Sequence, residues 1–246
     1  MRQILQYTLL LIGLLTISLF AGCRAKPAAS AGFADAELMQ HDPNVPFHKI
    51  WRKPDVDWKH YDTIYVADVN TALMLSVTDW KKGERKDEIE KDVADIAVYC
   101  RDTVKKAFRD DPNKRFQLSD APLTSARGLI FEMALVELVP SKVSLNALGY
   151  APFGIGLGVT AARTAAGDKS TAAFEARVRD AATGEIILLA ADREQEDFAL
   201  IDLRGFKWYT HIHAIIDSWS KQWVRVLEQK PGEKVKDTDT FRLLPW

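Results

Sequence analysis

The sequence predicts an α+β domain: a mainly antiparallel sheet of four to five strands with two long amphipathic helices packed on it. Three observations carry that expectation. Residues 172–180 alternate apolar and polar, and after a turn 186–191 return as a strongly apolar strand, as the two arms of a hairpin do. Two stretches, 89–108 and 208–227, repeat apolar residues every three or four positions, the period of a helix laid on a core. Leu129 to Val139 is apolar on nearly every residue, the pattern of a central strand covered on both faces.

Ahead of this domain, Met1 to Gly22 has the three parts of a secretory signal. Arg2 gives a positive start, Leu5 to Phe20 forms an apolar core, and Ala21-Gly22 supplies the small residues that a signal peptidase needs. The apolar run falls short of the about 20 residues that a spanning helix needs. Leu19-Phe20-Ala21-Gly22-Cys23 resembles the bacterial lipobox, with Phe20 where the usual pattern has Leu. The resemblance implies diacylglycerol transfer to the Cys23 thiol, cleavage before Cys23 and acylation of the new amino group. Several acyl chains on one residue make a lasting anchor, whereas a single chain binds marginally. Arg24 follows the cysteine, and in the sorting scheme this resembles, that implies the outer membrane, facing the periplasm.

The chain then divides into residues 1–22 as signal peptide and 23–54 as lipidated N-terminus, tether and strap. A single α+β domain follows over 55–230, and a polar C-terminal tail over 231–246. Ala28-Ala29-Ser30-Ala31-Gly32 has the composition of a flexible tether. Phe33, Phe47 and Trp51 are the points at which the strap would touch the domain. His41, His48 and His60 fall in or near it at loose spacing and are read as isolated surface histidines rather than metal ligands.

Thr63 to Val69 reads as the first strand. The charged turn 81–86 leads into the first helix, with Ile89, Val93, Ile96, Ala97, Cys100, Val104 and Phe108 on one face. Asp110-Asp111-Pro112-Asn113 ends it, and Phe116-Gln117-Leu118 is a short strand. Glu132 and Glu137 interrupt the central strand. Five residues apart, they are expected on opposite faces and receive no catalytic role. In the hairpin, Phe174, Ala176 and Val178 face one way and Glu175, Arg177 and Arg179 the other, with the turn at 180–185. Trp208, Ile212, Ile215, Ile216, Trp219, Trp223, Val226 and Leu227 make the apolar face of the last helix. His211 and His213 within it lie about 200° apart around the axis and cannot share a ligand.

Between the central strand and the hairpin, residues 143–167 carry one charge, Arg163. Val143, Leu145 and Ala147, then Ile155, Leu157, Val159 and Ala161, alternate with polar or glycine positions. This is the pattern of an amphipathic hairpin, which in an oligomer could line a barrel; a glycine-rich loop or a soluble hairpin fits the same residues. The triple glycine 154–158 lacks the spacing and the Lys-Ser/Thr of a phosphate loop.

Composition narrows the function. With 33 basic and 34 acidic residues the net charge is −1, so nothing marks a nucleic-acid surface. Cys100 is the only cysteine besides Cys23; it sits on the apolar helix face and reads as a buried, inert thiol. No G-x-S-x-G, H-E-x-x-H or C-x-x-C occurs.

The chain also resembles a family of bacterial lipoproteins catalogued as domain of unknown function 3313. The residues that carry the resemblance are Gly32-Phe33, Val56-Asp57-Trp58 with Tyr61, Arg127-Gly128-Leu129, Glu175, Asp180 to Glu185, and Trp219. It implies an envelope location and this fold, and no activity. The element order is also similar to that of the curli-secretion pore subunit. The expectation is therefore a non-enzymatic, lipid-anchored binding or scaffolding domain, without cofactor, metal or catalytic residues. Cys23 is its single site residue. Its partners would be the membrane, through that lipid, and an envelope protein or further copies of itself. The alternative is a subunit of an oligomeric outer-membrane pore or secretion assembly that uses residues 143–161. An enzyme assembled from scattered residues such as His60, Asp68 and Arg127 is the remaining reading.

Overall fold

The computed structural model describes residues 25–74, 86–139, 171–195 and 210–237. They form an α+β unit with one six-stranded mixed sheet and two helices. The strands are β1 (Lys49–Arg52), β2 (Thr63–Val66), β3 (Gln117–Ser119), β4 (Gly128–Val139), β5 (Thr171–Asp180) and β6 (Ile186–Gln195). The helices are α1 (Lys86–Asp110), between β2 and β3, and α2 (Thr210–Glu228), after β6. The sheet order is β1-β6-β5-β4-β2-β3.

Two expectations are corrected here. The sheet has six strands rather than four or five, because Lys49-Ile50-Trp51-Arg52, within the segment read as a strap, pairs antiparallel with β6 and forms an edge. It is also more mixed than expected: β2 pairs parallel with both β3 and β4. The cause is two returns of the chain to the end of the sheet where β2 began: α1 brings it back for β3, and residues 120–127 bring it back again for β4. The hairpin is as the alternation predicted, with β5 and β6 antiparallel and the turn at 181–185. Gly128 starts β4 so close to the hairpin turn that a Cβ there would lie 3.0 Å from Ala181 Cβ.

The two faces of the sheet differ. Leu129, Phe131, Met133 and Leu135 of β4 and Phe174, Ala176 and Val178 of β5 point to the helix side. There they meet Val93, Ile96, Cys100, Val104 and Phe108 of α1, and Ile212, Ile215, Ile216, Trp219, Trp223 and Val226 of α2. The ring of Trp223 packs 4.8 Å from Phe131 and 4.6 Å from Phe47, and Trp219 stands edge-on to Phe174 at 4.8 Å. Offset and edge-on rings of this kind add to the burial term. Cys100 is buried among these groups, and burial pushes its thiol up to about 12.

The other face is polar on β5 and carries Glu132, Glu175, Arg177, Arg179 and Arg193. Glu137 joins them, against expectation. A β-bulge between Leu135 and Glu137 inserts one extra residue, so Leu138 rather than Glu137 points at the helices. Both glutamates of β4 therefore lie on the outer face. Glu132 accepts from Arg177 Nε at 2.5 Å and Arg179 Nε at 2.7 Å, and Glu137 accepts from Arg193 Nε at 2.7 Å.

The ends of the sheet differ too. At one end β4 and β5 stay paired to Val139↔Thr171, and β5 and β6 to Thr171↔Gln195. The opposite end holds the 181–185 turn. The helices run parallel to each other: Tyr99 of α1 meets His213 and Asp217 of α2, and Asn113, just beyond α1, meets Glu228.

Candidate functional site

The outer face is covered by the chain's own N-terminal segment, and Glu175 organises the contact. Gly32 adopts φ +82°, a conformation open to glycine, which curls residues 30–34 around the carboxylate. Glu175 Oε1 accepts from Ser30 Oγ at 2.9 Å and Ala31 N at 2.6 Å. Its Oε2 accepts from Phe33 N at 2.7 Å and Ala34 N at 2.8 Å. The residue is 2% exposed, and the four donors replace the water it has lost. The Phe33 ring lies under the Arg177 guanidinium, 4.3 Å from Cζ to centroid. Ala28, Ala31 and Phe33 pack on Ala134, Val136 and Ala173 between the charged groups.

Two further ties hold the segment. His48 Nδ1 lies 2.5 Å from Asp192 Oδ1, and His48 Nε2 lies 2.6 Å from the Ala25 carbonyl oxygen. Asp192 also accepts from the His48 backbone N–H at 3.0 Å and, through Oδ2, from Trp219 Nε1 of α2 at 2.9 Å. One aspartate thus joins sheet, helix and strap. Arg193 donates through Nη1 to the Lys26 carbonyl at 3.3 Å while its Nε holds Glu137, which also accepts from Thr171 Oγ1 at 2.7 Å.

Ala28 to Gly32 is therefore bound to the sheet rather than forming a free tether, and His48 is buried rather than a surface histidine. His41 is exposed, and His60 sits at the opposite end of the sheet with Nε2 2.9 Å from the Ala126 carbonyl oxygen. The three do not meet. Neither do His60, Asp68 and Arg127, since Asp68 accepts from Arg101 and Asp62 accepts from Arg127. Among the described residues no three His, Cys, Asp or Glu side chains are grouped so as to hold a metal. No described helix is long and apolar enough to cross a membrane. Cys23, Trp208 and residues 143–167 lie outside the described residues. Phe33, Phe47 and Trp51 do contact the domain, as the sequence suggested.

An open groove of about 600 Å³ runs between the last turns of α1 and of α2, lined among others by Asp111, Asn113, Lys221, Val224, Arg225 and Glu228. Burial and the neighbouring Asp111 push the Glu228 carboxyl up, with Asn113 Nδ2 donating to its Oε2 at 2.8 Å. Across the sheet, Tyr61 donates to Asp180 at 2.8 Å, and burial and that carboxylate push its hydroxyl up to about 12.

Sequence reasoning missed Glu175 and His48 as organising residues. The available signal was Glu175 itself: an acid between Phe174 and Ala176, in a strand whose neighbours are almost all apolar, needs donors from somewhere.

The residues that carried the family resemblance meet in two places. Gly32-Phe33 sits on Glu175 and Arg177. Trp58 and Tyr61 lie with ring centroids 6.3 Å apart, and Tyr61 is bonded to Asp180, the first residue of the turn motif. No curated protein is significantly similar to the chain. Two solved structures of the PelC dodecamer from Paraburkholderia phytofirmans, one of a point variant, are similar at 8% and 7% identity, each with a TM-score of 0.38. The matches cover 72% and 74% of this chain and 95% and 96% of the other. A likeness that slight carries no argument. The family model described as a protein of unknown function, DUF3313, matches residues 30–223, and the chain belongs to that family.

Proposed function

We propose that this is a lipid-anchored lipoprotein of the outer membrane, attached through Cys23. Its α+β domain faces the periplasm and acts as a non-enzymatic binding or scaffolding module. The lipobox-like stretch before Cys23 supports the anchor. The observation that carries the binding or scaffolding reading of the domain is the use made of the buried polar groups. Glu175, His48, Asp192 and Arg193 are committed to holding the N-terminal segment on the sheet, so their chemistry serves attachment.

A second reading, a subunit of an oligomeric pore or secretion assembly, is favoured by one observation. β4 and β5 remain paired to Val139↔Thr171, so the chain between them leaves and returns on neighbouring strands, as the ends of a hairpin do. The test is the native mass of the full-length protein extracted in mild detergent, beside a Cys23→Ser form and a form lacking residues 143–161. The proposal expects a small species whose Cys23→Ser form is soluble and folded. A ring-sized oligomer that depends on 143–161 favours the pore. A Cys23→Ser protein that stays in the membrane overturns the anchor.

A further inference from the structure

The residues between Cys23 and Phe33, ahead of the strap, were expected to be a flexible tether. A chain free from Cys23 to Gly32 has 9 steps and could reach roughly 32 Å at about 3.5 Å per residue. The structure leaves much less of it free. Ala25 is 7% exposed, and its carbonyl oxygen meets His48 Nε2 at 2.6 Å. The Lys26 carbonyl accepts from Arg193. From Ser30 to Ala34 the chain is fastened to Glu175 by four hydrogen bonds. These ties come from three different side chains on β5, on β6 and just before β1. Two steps remain between Cys23 and Ala25, a reach of about 7 Å.

The place where the chain is caught is equally definite. His48 and Arg193 stand at the end of the sheet where β6 finishes, next to the start of β5 and the finish of β4. The hairpin turn at 181–185 is at the other end, about 30 Å away along the ten residues of β5. A lipid on Cys23 would therefore reach the bilayer from one end of the sheet only.

We infer that the end of the sheet marked by Val139, Thr171 and Gln195 is the one held toward the lipid bilayer, with the 181–185 turn pointing away from it. The N-terminal strap acts as an orienting clamp rather than a tether. This rests on the reading of Cys23 as lipidated. It adds that the domain has a fixed pole toward the membrane, so a partner in the periplasm would meet the hairpin turn and the start of α1's following loop, not the sheet end.

The experiment uses the full-length, lipidated protein in vesicles of phosphatidylethanolamine and phosphatidylglycerol containing a headgroup-nitroxide lipid. A fluorophore is placed on Lys26→Cys or on Ala182→Cys. Both positions are exposed, while buried Cys100, whose thiol burial pushes up to about 12, stays unlabelled. Quenching at position 26 is expected to exceed that at 182 at least threefold. Inserting ten Gly/Ser residues between Arg24 and Ala25 adds a flexible span of roughly 18 Å and should bring the ratio close to one. Equal quenching without the insert, in protein that floats with the vesicles, overturns that orientation and leaves the anchor standing. A ratio that the insert does not change overturns the clamp. Protein that does not float with the vesicles overturns both.

Discussion

The two faces of this sheet reach burial by opposite routes. The helix side is closed by rings, with Phe47, Phe131, Phe174, Trp219 and Trp223 fitted together. The strap side is closed by charge, with Glu132, Glu137 and Glu175 each met by positioned donors and a thin apolar layer between. The apolar burial behind that packing is non-directional and scales with the area removed from water. The strap side depends on a few directional bonds, whose loss is expected to release residues 25–34 while the ring core stays folded. The two routes meet at Asp192, which holds both His48 and Trp219, and elsewhere divide what keeps the domain folded from what keeps residues 25–34 in place.

The largest expected effect tests the first half of that comparison. Trp223→Ala removes the ring that touches Phe47, Phe131 and Phe174, and should cost about 3–5 kcal/mol in urea unfolding. Glu175→Gln should cost less, about 1.5–3 kcal/mol, because charge-assisted bonds are weakened while the strap can still find water. Its distinguishing signature is local: amide exchange at Ala31, Phe33 and Ala34 should quicken more than tenfold while tryptophan fluorescence stays native. A Glu175→Gln protein that loses its core signal as well would show that the two faces form one cooperative unit.

Much of the helix side was legible in the sequence, because burial there follows simple periods. Val93, Ile96, Cys100, Val104 and Phe108, and later Ile212 to Leu227, mark their faces by spacing alone. The strap side was legible only in part. A single inserted residue at the β4 bulge moved Glu137 to the face of Glu132, and nothing in the local pattern announces a bulge. Lys49 to Arg52 is too short to stand out as a strand, and its pairing with β6 is non-local. The Ala-Ser-Ala-Gly run reads as a tether because its hold on Glu175 is made by backbone N–H groups, which every residue has. Small side chains there signal close approach as well as flexibility, and only the partner across about 140 residues of sequence decides which.

The smallest effect separates the two glutamates that titrate in opposite senses. Burial works to raise the Glu132 carboxyl, yet Arg177 and Arg179 hold it below the usual carboxylate range. Its folded form binds protons less readily than the unfolded chain, so its contribution is present above about pH 4.3 and is lost as pH falls through the lowered folded value. Glu228 in the helix layer is the reverse: burial and Asp111 push its carboxyl up, so stability falls as pH rises from about 4.3 toward the raised value and stays lower at neutrality. Glu228→Gln keeps an oxygen for Asn113 and removes the charge beside Asp111. Solvent screening of this partly exposed group discounts the effect, so it should raise stability at pH 7 by no more than about 0.5 kcal/mol and change nothing below about pH 4, as read from urea midpoints at both values. A loss at pH 7 instead would mean that the Glu228 carboxylate is needed in its charged form. The groove between α1 and α2 would then have a claim on that charge that the strap side, with its carboxylates already met, does not.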